Sequence, residues 1–257
     1  MFNINLFDIK LETNTIGRNF IYLDEIDSTN SFLLDKTNNI SIDGSVVLAE
    51  KQTKGRGRKN RTWYSEKGLN LNFSVLITNK YFFSEKINYL NFGVSLAIAN
   101  SIEKLFFIHT NVKWPNDVLI NNKKTAGILL EANSKGNKIE RLVIGIGVNV
   151  NQTSFKGDFN FLPTSIKYEI KENIEREKLL AEILNNFENV LLKIISKPES
   201  VLKDWRNKCS SIGKRITITQ NNKTLSGIFE DIDEKGLLIL RKHDKIEKIH
   251  FGDVGIE

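Results

Sequence analysis

The sequence predicts an α+β fold in which a mixed, largely antiparallel sheet packs against helices and a small β-barrel follows at the C-terminal end. Short apolar segments joined by polar turns run through residues 20–151, as is typical of strands and hairpins. Two long stretches, 84–106 and 175–195, carry apolar residues three or four positions apart, the spacing of amphipathic helices. After residue 211 the chain changes to short β-like segments and turns, which indicates a separate small β domain.

Composition is that of an ordinary globular protein with a sizeable core. The chain has 257 residues, of which 40% are hydrophobic and 26% charged, so it fits one large domain or a large domain plus a small one. We place the boundary near Ser211, which divides the chain into residues 1–210 and 211–257. The formal net charge of +6 could help attract acidic partners, but the cations are scattered and are expected mainly to solvate the surface.

Neither disulfides nor a membrane span is expected. Cys209 is the single cysteine, which excludes an internal disulfide framework. The start of the chain lacks the basic and apolar pattern of a secretion signal, and the longest apolar run, Leu142 to Val148, is far too short to cross a bilayer. These features predict a soluble, cytoplasmic protein with no membrane partner.

The elements are expected in a definite order along the chain. Strands are predicted at 20–26, 46–52, 69–77 and 141–151, a hairpin at 118–131, a short helix at 199–208, and four C-terminal strands at 214–219, 224–231, 236–241 and 246–251. Ser84 and Glu85 are expected to begin the first long helix, and Asn221 and Asn222 to form a turn. The first eighteen residues are expected to form a strand or arm on the main domain, and residues 155–170 a loop.

A basic glycine-rich stretch, Gly55 to Trp63, is the most unusual local feature. Glycine allows a ligand to approach the backbone closely, arginine offers a fixed fork of donors for carboxylate or phosphate, and Trp63 supplies a flat face. Similar stretches occur in nucleic-acid-binding tails. Because this one lies between two apolar segments, a loop between strands that binds a small anion is the better interpretation.

Further polar clusters lie where elements begin or end. Asp27 to Asn30 precede an apolar run and predict a helix start, whose free N–H groups can cap the helix or hold a ligand. Pro115 ends a strand at Lys113–Trp114, and a polar turn leads to Lys124 and Gly127. Binding residues commonly gather at such positions.

The residue pattern excludes several common binding and catalytic motifs. Gly145 and Gly147 lack the third glycine and the following helix of a dinucleotide-binding fingerprint, and glycine within a strand more often permits close approach by a neighbour or ligand. The three histidines share no metal-ligand spacing, and no nucleophile elbow or P-loop is present. An enzyme with this sequence would work by positioning and electrostatics, without a covalent protein intermediate and without a protein-bound metal cluster.

Taken together, these motifs resemble those of the biotin protein ligases. The matching stretches are Ser28-Thr29-Asn30, Gln52, Gly55 to Arg58 with Arg61 and Trp63, Lys113 to Asp117, Lys124 with Ala126 to Leu129 and Glu131, and Gly145 to Gly147 with Asn149. They occur in the family's order and spacing across most of the chain. Each motif alone is modest, but together they are highly specific.

The resemblance implies a fold and a reaction. It implies a class II synthetase-like catalytic domain with a C-terminal SH3-like domain, present as a monomer or homodimer. The implied reaction joins biotin and MgATP into biotinyl-5′-AMP, then transfers biotin to a lysine of a carboxyl carrier protein. Because the Ser-Thr-Asn motif begins at Ser28, we expect no N-terminal helix-turn-helix domain and no sequence-specific DNA binding.

The resemblance also implies roles for particular residues. The expected catalytic residues are Lys124, Arg58 and Asp117. Those expected to bind biotin are Ser28, Thr29, Asn30, Gln52, Arg56, Gly57, Arg58 and Lys124. Those expected to bind ATP or the adenylate are Arg56, Arg58, Trp63, Asn116, Lys124 and Asn149. No metal is expected to be held by protein ligands alone, although Mg²⁺ could arrive with ATP near Asp117. The division of labour between Asn116 and Asp117 stays open among metal, phosphate and acceptor lysine.

Two other functions are compatible with parts of the pattern. A lipoate or octanoate ligase of the same superfamily would share much of the site, but the Gly-Arg loop and the stretch Lys113 to Asp117 argue against it. A nucleic-acid-binding module could combine a basic loop with a β-barrel. Such a module would not explain the presence of Lys124 and Asp117.

Overall fold

The structure, a computed structural model, describes residues 1–83, 86–136, 138–157, 159, 161–220, 223–243 and 245–256. A seven-stranded sheet forms its centre. Its strands are β1 (Phe20–Ile26), β2 (Val46–Gln52), β3 (Leu71–Ile77), β4 (Thr110–Lys113), β5 (Asp117–Ile120), β6 (Lys123–Lys135) and β7 (Lys138–Val148). They lie in the order β1-β2-β3-β7-β6-β5-β4. Only the β1–β2 pair in this sheet is parallel, as the prediction of a mixed, largely antiparallel sheet requires.

Helices cover both faces of this sheet. They are α1 (Ile4–Lys10), α2 (Thr29–Leu34), α3 (Ile87–Phe106), α4 (Ile166–Ile170), α5 (Arg176–Ser196) and α6 (Pro198–Lys208). The main core places α3 and α5 against one face, with Phe73 and Ile144 among its buried residues. On the opposite face, Leu33 of α2 packs against Val47, Leu76 and Val143. The β1–β2 connection contains α2, because parallel neighbours need a crossover.

Two segments differ from the sequence prediction. The first residues form α1 rather than a strand, with the Asn3 side chain accepting a hydrogen bond from the backbone of Leu6 at 3.1 Å. Only Phe7 within this helix is buried, so its sequence shows no helical periodicity. Residues 166–170 form α4, which begins where the Ser165 hydroxyl accepts from Tyr168 N at 3.0 Å. The expected loop is therefore shorter than residues 155–170.

The C-terminal residues form a five-stranded antiparallel sheet. Its strands are β8 (Arg215–Gln220), β9 (Lys223–Ile232), β10 (Leu238–Lys242), β11 (Lys245–Ile249) and β12 (Asp253–Ile256), in the order β11-β10-β9-β8-β12. Four strands were expected; β12 was missed because four residues starting with an aspartate carry too little alternation. The expected helix start at Ser84 and Glu85, and the turn at Asn221 and Asn222, lie outside the described residues. The domain boundary near Ser211 stays a prediction.

The C-terminal sheet is hydrogen-bonded to the start of α3 and to Trp114, the residue after β4. Asn88 and Tyr89 of α3 donate to the carbonyls of Lys235 and Glu234, each at 2.7 Å. The Trp114 indole donates to the carbonyl of Gly236 at 3.2 Å. These contacts bring β12 to the rim of the cavity described next. Among the described helices, none is long and apolar enough to span a membrane.

Candidate active site

A cavity of about 610 Å³ opens on the α2 face of the main sheet. Every residue that the sequence singled out for catalysis or binding lines it: Ser28, Thr29, Asn30, Gln52, Arg56, Gly57, Arg58, Trp63, Asn116, Asp117, Lys124 and Asn149. Strand ends and turns that are far apart in sequence therefore meet at one place. In particular, Arg58 and Lys124 share this cavity.

Glycines in the central strands make room for the cavity. Gly145 and Gly147 lie on the same face of β7, beside Ser74 and Asn72 of β3. A Cβ at Gly145 would lie 2.4 Å from Asn30 Oδ1, and one at Gly147 would lie 2.3 Å from the Trp63 ring. The close approach expected for these glycines is confirmed, and the approaching groups are protein side chains.

A fixed polar floor lies at one end of the cavity. Ser28 caps α2, as its hydroxyl accepts from Ser31 N at 3.4 Å. Thr29 donates its backbone N–H (2.8 Å) and its hydroxyl (3.1 Å) to Gln52 Oε1. Asn30 donates to Glu131 Oε2 at 2.7 Å, and its Oδ1 lies 2.6 Å from the Ser74 hydroxyl. These contacts fix the orientations of the side-chain amides of Gln52 and Asn30.

Arg56 is tied to Glu131, a residue of β6 to which the sequence assigned no role. Its Nε and Nη2 donate to the two Glu131 oxygens at 3.1 and 2.9 Å, and Nη1 donates to Ser31 at 2.9 Å. This bidentate pair is a strong, directional contact. Glu131 thereby braces both Arg56 and Asn30, so Arg56 reaches the cavity as part of its wall.

The Gly-Arg loop, Gly55 to Trp63, folds back on itself and contacts the C-terminal sheet. Gly57 N donates to Arg61 O at 2.6 Å. Arg58 Nη1 donates to Asn116 Oδ1 and to the carbonyl of Gly252, both at 3.3 Å. Burial lowers the pKa of Arg58, while the charges of Asp253 and Asp117 oppose that shift. Even so, a guanidinium stays protonated at physiological pH, so Arg58 brings a half-desolvated positive charge to the site.

Asp253, at the start of β12, was given no role in the site by the sequence. Lys59 donates to its Oδ2 at 3.0 Å, and Arg61 donates to its Oδ1. Burial would raise the pKa of Asp253, but these two cations hold it below its usual value. No local pattern links Asp253 to the loop, because Lys59 and Asp253 are 194 residues apart in the sequence. The Gly55–Trp63 loop is therefore tethered by the C-terminal sheet.

Lys124 enters the cavity because of a β-bulge. Residues three apart on a regular strand point to opposite faces, so Lys124 and Gly127 would normally diverge. The β5–β6 register shifts between Val118 and Leu119, and a Cβ at Gly127 would lie 3.0 Å from Lys124 Nζ. Because β6 has one residue more than β5 at this point, the side chain of Lys124 and the position of Gly127 lie on the same face.

Lys124 is paired and covered at that position. Its Nζ lies 2.7 Å from Asp117 Oδ1 and 5.7 Å from the centre of the Trp63 ring. Asn116, next to Asp117, donates to the carbonyl of Ile128 at 2.6 Å while accepting from Arg58. Asp117 thus balances the lysine charge, and Asn116 orients the arginine.

Trp63 and Asn149 lie at the wall formed by β6 and β7. The Trp63 indole donates to Asn72 Oδ1 at 3.0 Å and lies over the paired glycines Gly127 and Gly147. Asn149 donates to the carbonyl of Thr164 at 3.0 Å. Lys113 also lines the cavity, as do Phe155, Phe159 and Phe161. The sequence placed Lys113 in a motif but gave it no role.

Gly147→Ala is expected to displace Trp63. The added methyl group cannot occupy its position 2.3 Å from the indole ring, so the free energy of unfolding should fall by about 1–3 kcal/mol. Acrylamide should then quench tryptophan fluorescence more strongly, because the displaced Trp63 becomes more accessible. The change reports mainly on Trp63, since Trp114 and Trp205 are only 3% and 1% exposed. Gly136→Asn is the control, since nothing lies within 4 Å of Gly136 and Asn tolerates its positive φ. Unchanged quenching in Gly147→Ala would contradict the packing.

Family models match both parts of the chain. Residues 22–149 match the Biotin/lipoate A/B protein ligase family, and residues 211–255 match the Biotin protein ligase C terminal domain. The fold and the site thus define an enzyme of the biotin and lipoate ligase class.

Individual relatives narrow this class. The bifunctional ligase/repressor BirA of Bacillus spizizenii is 34% identical over 247 residues, covering 95% of this chain and 76% of that protein. The biotin–[acetyl-CoA-carboxylase] ligase of Mycobacterium tuberculosis is 29% identical over 232 residues, covering 88% and 85%. A structure of Aquifex aeolicus biotin protein ligase in complex with biotin and ATP has a TM-score of 0.82 at 29% identity, covering 93% and 99%. The chain belongs to the biotin protein ligase family, which confirms the predicted family, fold class and enzyme class.

Proposed function

We propose that this chain activates biotin with ATP and transfers it to a lysine of a carboxyl carrier protein. The observation that carries the proposal is the shared cavity, in which a fixed polar floor lies beside Lys124 and Arg58. Such a cavity suits a ligand with a polar head, an apolar body and an anionic end. Family membership supports biotin as that ligand.

The floor would bind the ureido ring of biotin. The ring is planar and presents N–H donors and a carbonyl acceptor, which need partners in fixed directions. Ser28, Thr29, Asn30 and Gln52 are held by their mutual contacts and by Ser74. A preorganised polar surface of this kind costs little reorganisation when the ligand binds.

Adenylation requires stabilisation of negative charge between two anions. A carboxylate oxygen of biotin attacks the α-phosphorus of ATP, the new O–P bond forms, and pyrophosphate leaves with the bonding electrons. Lys124 would bridge the carboxylate and the α-phosphate, while Arg58 would neutralise charge from the loop side. Fixed cations in a partly desolvated site stabilise such a transition state strongly.

Transfer uses the same site with an amine as nucleophile. The ε-amine of the carrier lysine attacks the acyl carbon, AMP leaves, and the nitrogen loses a proton as the amide forms. Trp63 and Asn149 would hold the adenylate at the β6–β7 wall. The Gly55–Trp63 loop would cover the mixed anhydride and exclude water until the amine arrives.

Magnesium would enter as part of the MgATP substrate. Asp117 places a carboxylate in the cavity, and Mg²⁺ is commonly held by one or two carboxylates with phosphate and water as its other ligands. The donor set therefore fits a nucleotide-borne ion. Within the described residues no cluster of three or more histidine, cysteine or acidic side chains could hold a metal by itself.

Arg58→Gly is expected to release the adenylate early. Without the guanidinium, the loop loses its contacts with Asn116 and Gly252, and the reactive anhydride becomes accessible to bulk amines. We expect unspecific labelling of an added bystander protein, detected by streptavidin blotting, and faster appearance of free AMP. Lys54→Gly, an exposed change just before the loop, should keep labelling on the carrier. Equal selectivity of the two variants would remove Arg58 from this role.

The proposed function is tested by mass spectrometry of a carrier domain. After incubation with the chain, biotin and MgATP, one carrier lysine should gain the mass of a biotinyl group. A carrier with that lysine replaced by arginine should remain unmodified. Lipoate in place of biotin tests the related activity, and modification with lipoate but not with biotin would contradict the proposal.

A further inference from the structure

Lys113 is a buried cation that the proposed function leaves unused. It ends β4, is 6% exposed and lines the cavity. Its Nζ lies 3.7 Å from the centre of the Phe161 ring. Within the described residues, no oxygen of the protein forms an ion pair or a hydrogen bond with this ammonium group.

Four of the five other cations that line the cavity in the described part of the chain are engaged with oxygen atoms. Arg56 is paired with Glu131, Arg61 with Asp253 and Lys124 with Asp117. Arg58 donates to Asn116 and to a backbone carbonyl. Lys156 lines the cavity too, but it is exposed to solvent. Lys113 therefore differs from each of them, since it is buried and has no oxygen partner among the residues that the structure describes.

Burial without a counterion is costly for an ammonium group. Desolvation lowers the pKa of Lys113, the charges of Lys124 and Arg61 add to that shift, and those of Asp117 and Asp253 oppose it. Asp117 is directly opposite Lys113 across the β4–β5 pair, yet its carboxylate contacts Lys124. A ring face compensates only part of the lost hydration, so an incoming anion would complete this site.

We propose that Lys113 binds the β- and γ-phosphates of ATP and the pyrophosphate released from them. Lys124 serves the α-phosphate and the carboxylate, and its charge is already shared with Asp117. A triphosphate brings further negative charge beyond the α-position, and Lys113 is the neighbouring buried cation. Phe161 lies over the ammonium, so it would keep the lysine directed into the cavity. This inference rests on the proposed adenylation of biotin.

The test measures biotin-dependent exchange of pyrophosphate into ATP with Lys113→Met. We expect KM for ATP and the inhibition constant of inorganic pyrophosphate to rise about 10- to 100-fold, the range for a lost charge-assisted hydrogen bond. KM for biotin should stay within about twofold. Lys113→Arg, which keeps the charge, should recover part of the affinity for ATP and provides a second variant if Lys113→Met is unstable.

Lys171→Met is the matched control. Lys171 also lies over an aromatic ring, 4.3 Å from the centre of Tyr168, but is exposed and outside the cavity lining. Its KM values should equal those of the parent chain. Unchanged ATP and pyrophosphate affinity in Lys113→Met, or equal losses for ATP and biotin, would overturn the inference. Absence of exchange in the parent chain would instead contradict the proposed function itself.

Discussion

Lys124→Met is expected to slow formation of biotinyl-adenylate at least ~100-fold, the scale observed when one charge-stabilising donor is lost from an active site. The substitution retains most of the side-chain volume and removes the ammonium group. That group lies 2.7 Å from Asp117 and faces the cavity shared with Arg58. Without this charge, the biotin carboxylate and the α-phosphate of ATP would repel each other more strongly as the O–P bond forms. Single-turnover formation of the adenylate, with saturating biotin and MgATP, measures the effect.

Lys123→Met is the control for this experiment. Lys123 is the adjacent residue of β6, but its Nζ lies 3.7 Å from Glu169 and 5.5 Å from the centre of the Tyr168 ring, and it does not line the cavity. Its adenylation rate should remain within about twofold, because a partly exposed ion pair contributes little. If Lys124→Met adenylates biotin at a near-normal rate, Lys124 has no part in the mechanism.

Arg176→Met is expected to lower the free energy of unfolding by about 3–5 kcal/mol, the cost of leaving a buried partner charge uncompensated. Arg176 at the start of α5 donates to both oxygens of Glu50 at 2.6 and 2.9 Å, and to the carbonyl of Asn70. Glu50 also accepts from Tyr22 at 2.7 Å and from the backbone of Phe2. Urea denaturation monitored by circular dichroism measures the loss.

The pH dependence of that loss checks its cause. Burial alone would raise the pKa of Glu50, but the hydrogen bonds from Arg176 and Tyr22 hold it below its usual value. The stabilising contribution is therefore present above the ordinary glutamate pKa of about 4.3 and disappears as the pH falls through the lower folded-state value. The difference in unfolding free energy between the parent chain and Arg176→Met should shrink in that acidic range.

Lys178→Met provides the matched control on the same helix. Lys178 forms an exposed pair with Glu175 three residues earlier, which should contribute only about 0.2–0.5 kcal/mol. A similarly small effect of Arg176→Met would show that the buried network is not important for stability. A large difference that persists unchanged at low pH would contradict the assignment to Glu50.

Much of the fold was predictable because local patterns are strong where elements are long and packed on one side. The helix over α5 and the hairpin of β5 and β6 follow directly from apolar spacing and a polar turn. The helix α1 could not be found in that way, since one buried phenylalanine gives no period. Pairing partners such as β3 with β7 depend on tertiary packing that no local window contains.

The residues that line the cavity could be singled out from the sequence, but their arrangement could not. Residues with unusual chemistry at strand ends were visible in the sequence, and the structure brings them into one cavity. The bulge that turns Lys124 toward Gly127 has no local signature. The tether from Asp253 to Lys59 joins distant parts of the chain. Glu131 and Lys113 were visible within motifs, yet only their contacts indicate what they do.

The glycines of the central strands bear on how mutational scans of this enzyme should be interpreted. Alanine scanning assumes that each substitution removes atoms, so that a loss reveals what the missing group contributed. At Gly145 and Gly147 the substitution adds a methyl group to space held by Asn30 and Trp63. A loss of activity or stability in such a variant would show that the added methyl group displaces Asn30 or Trp63. These positions matter because they carry no side chain.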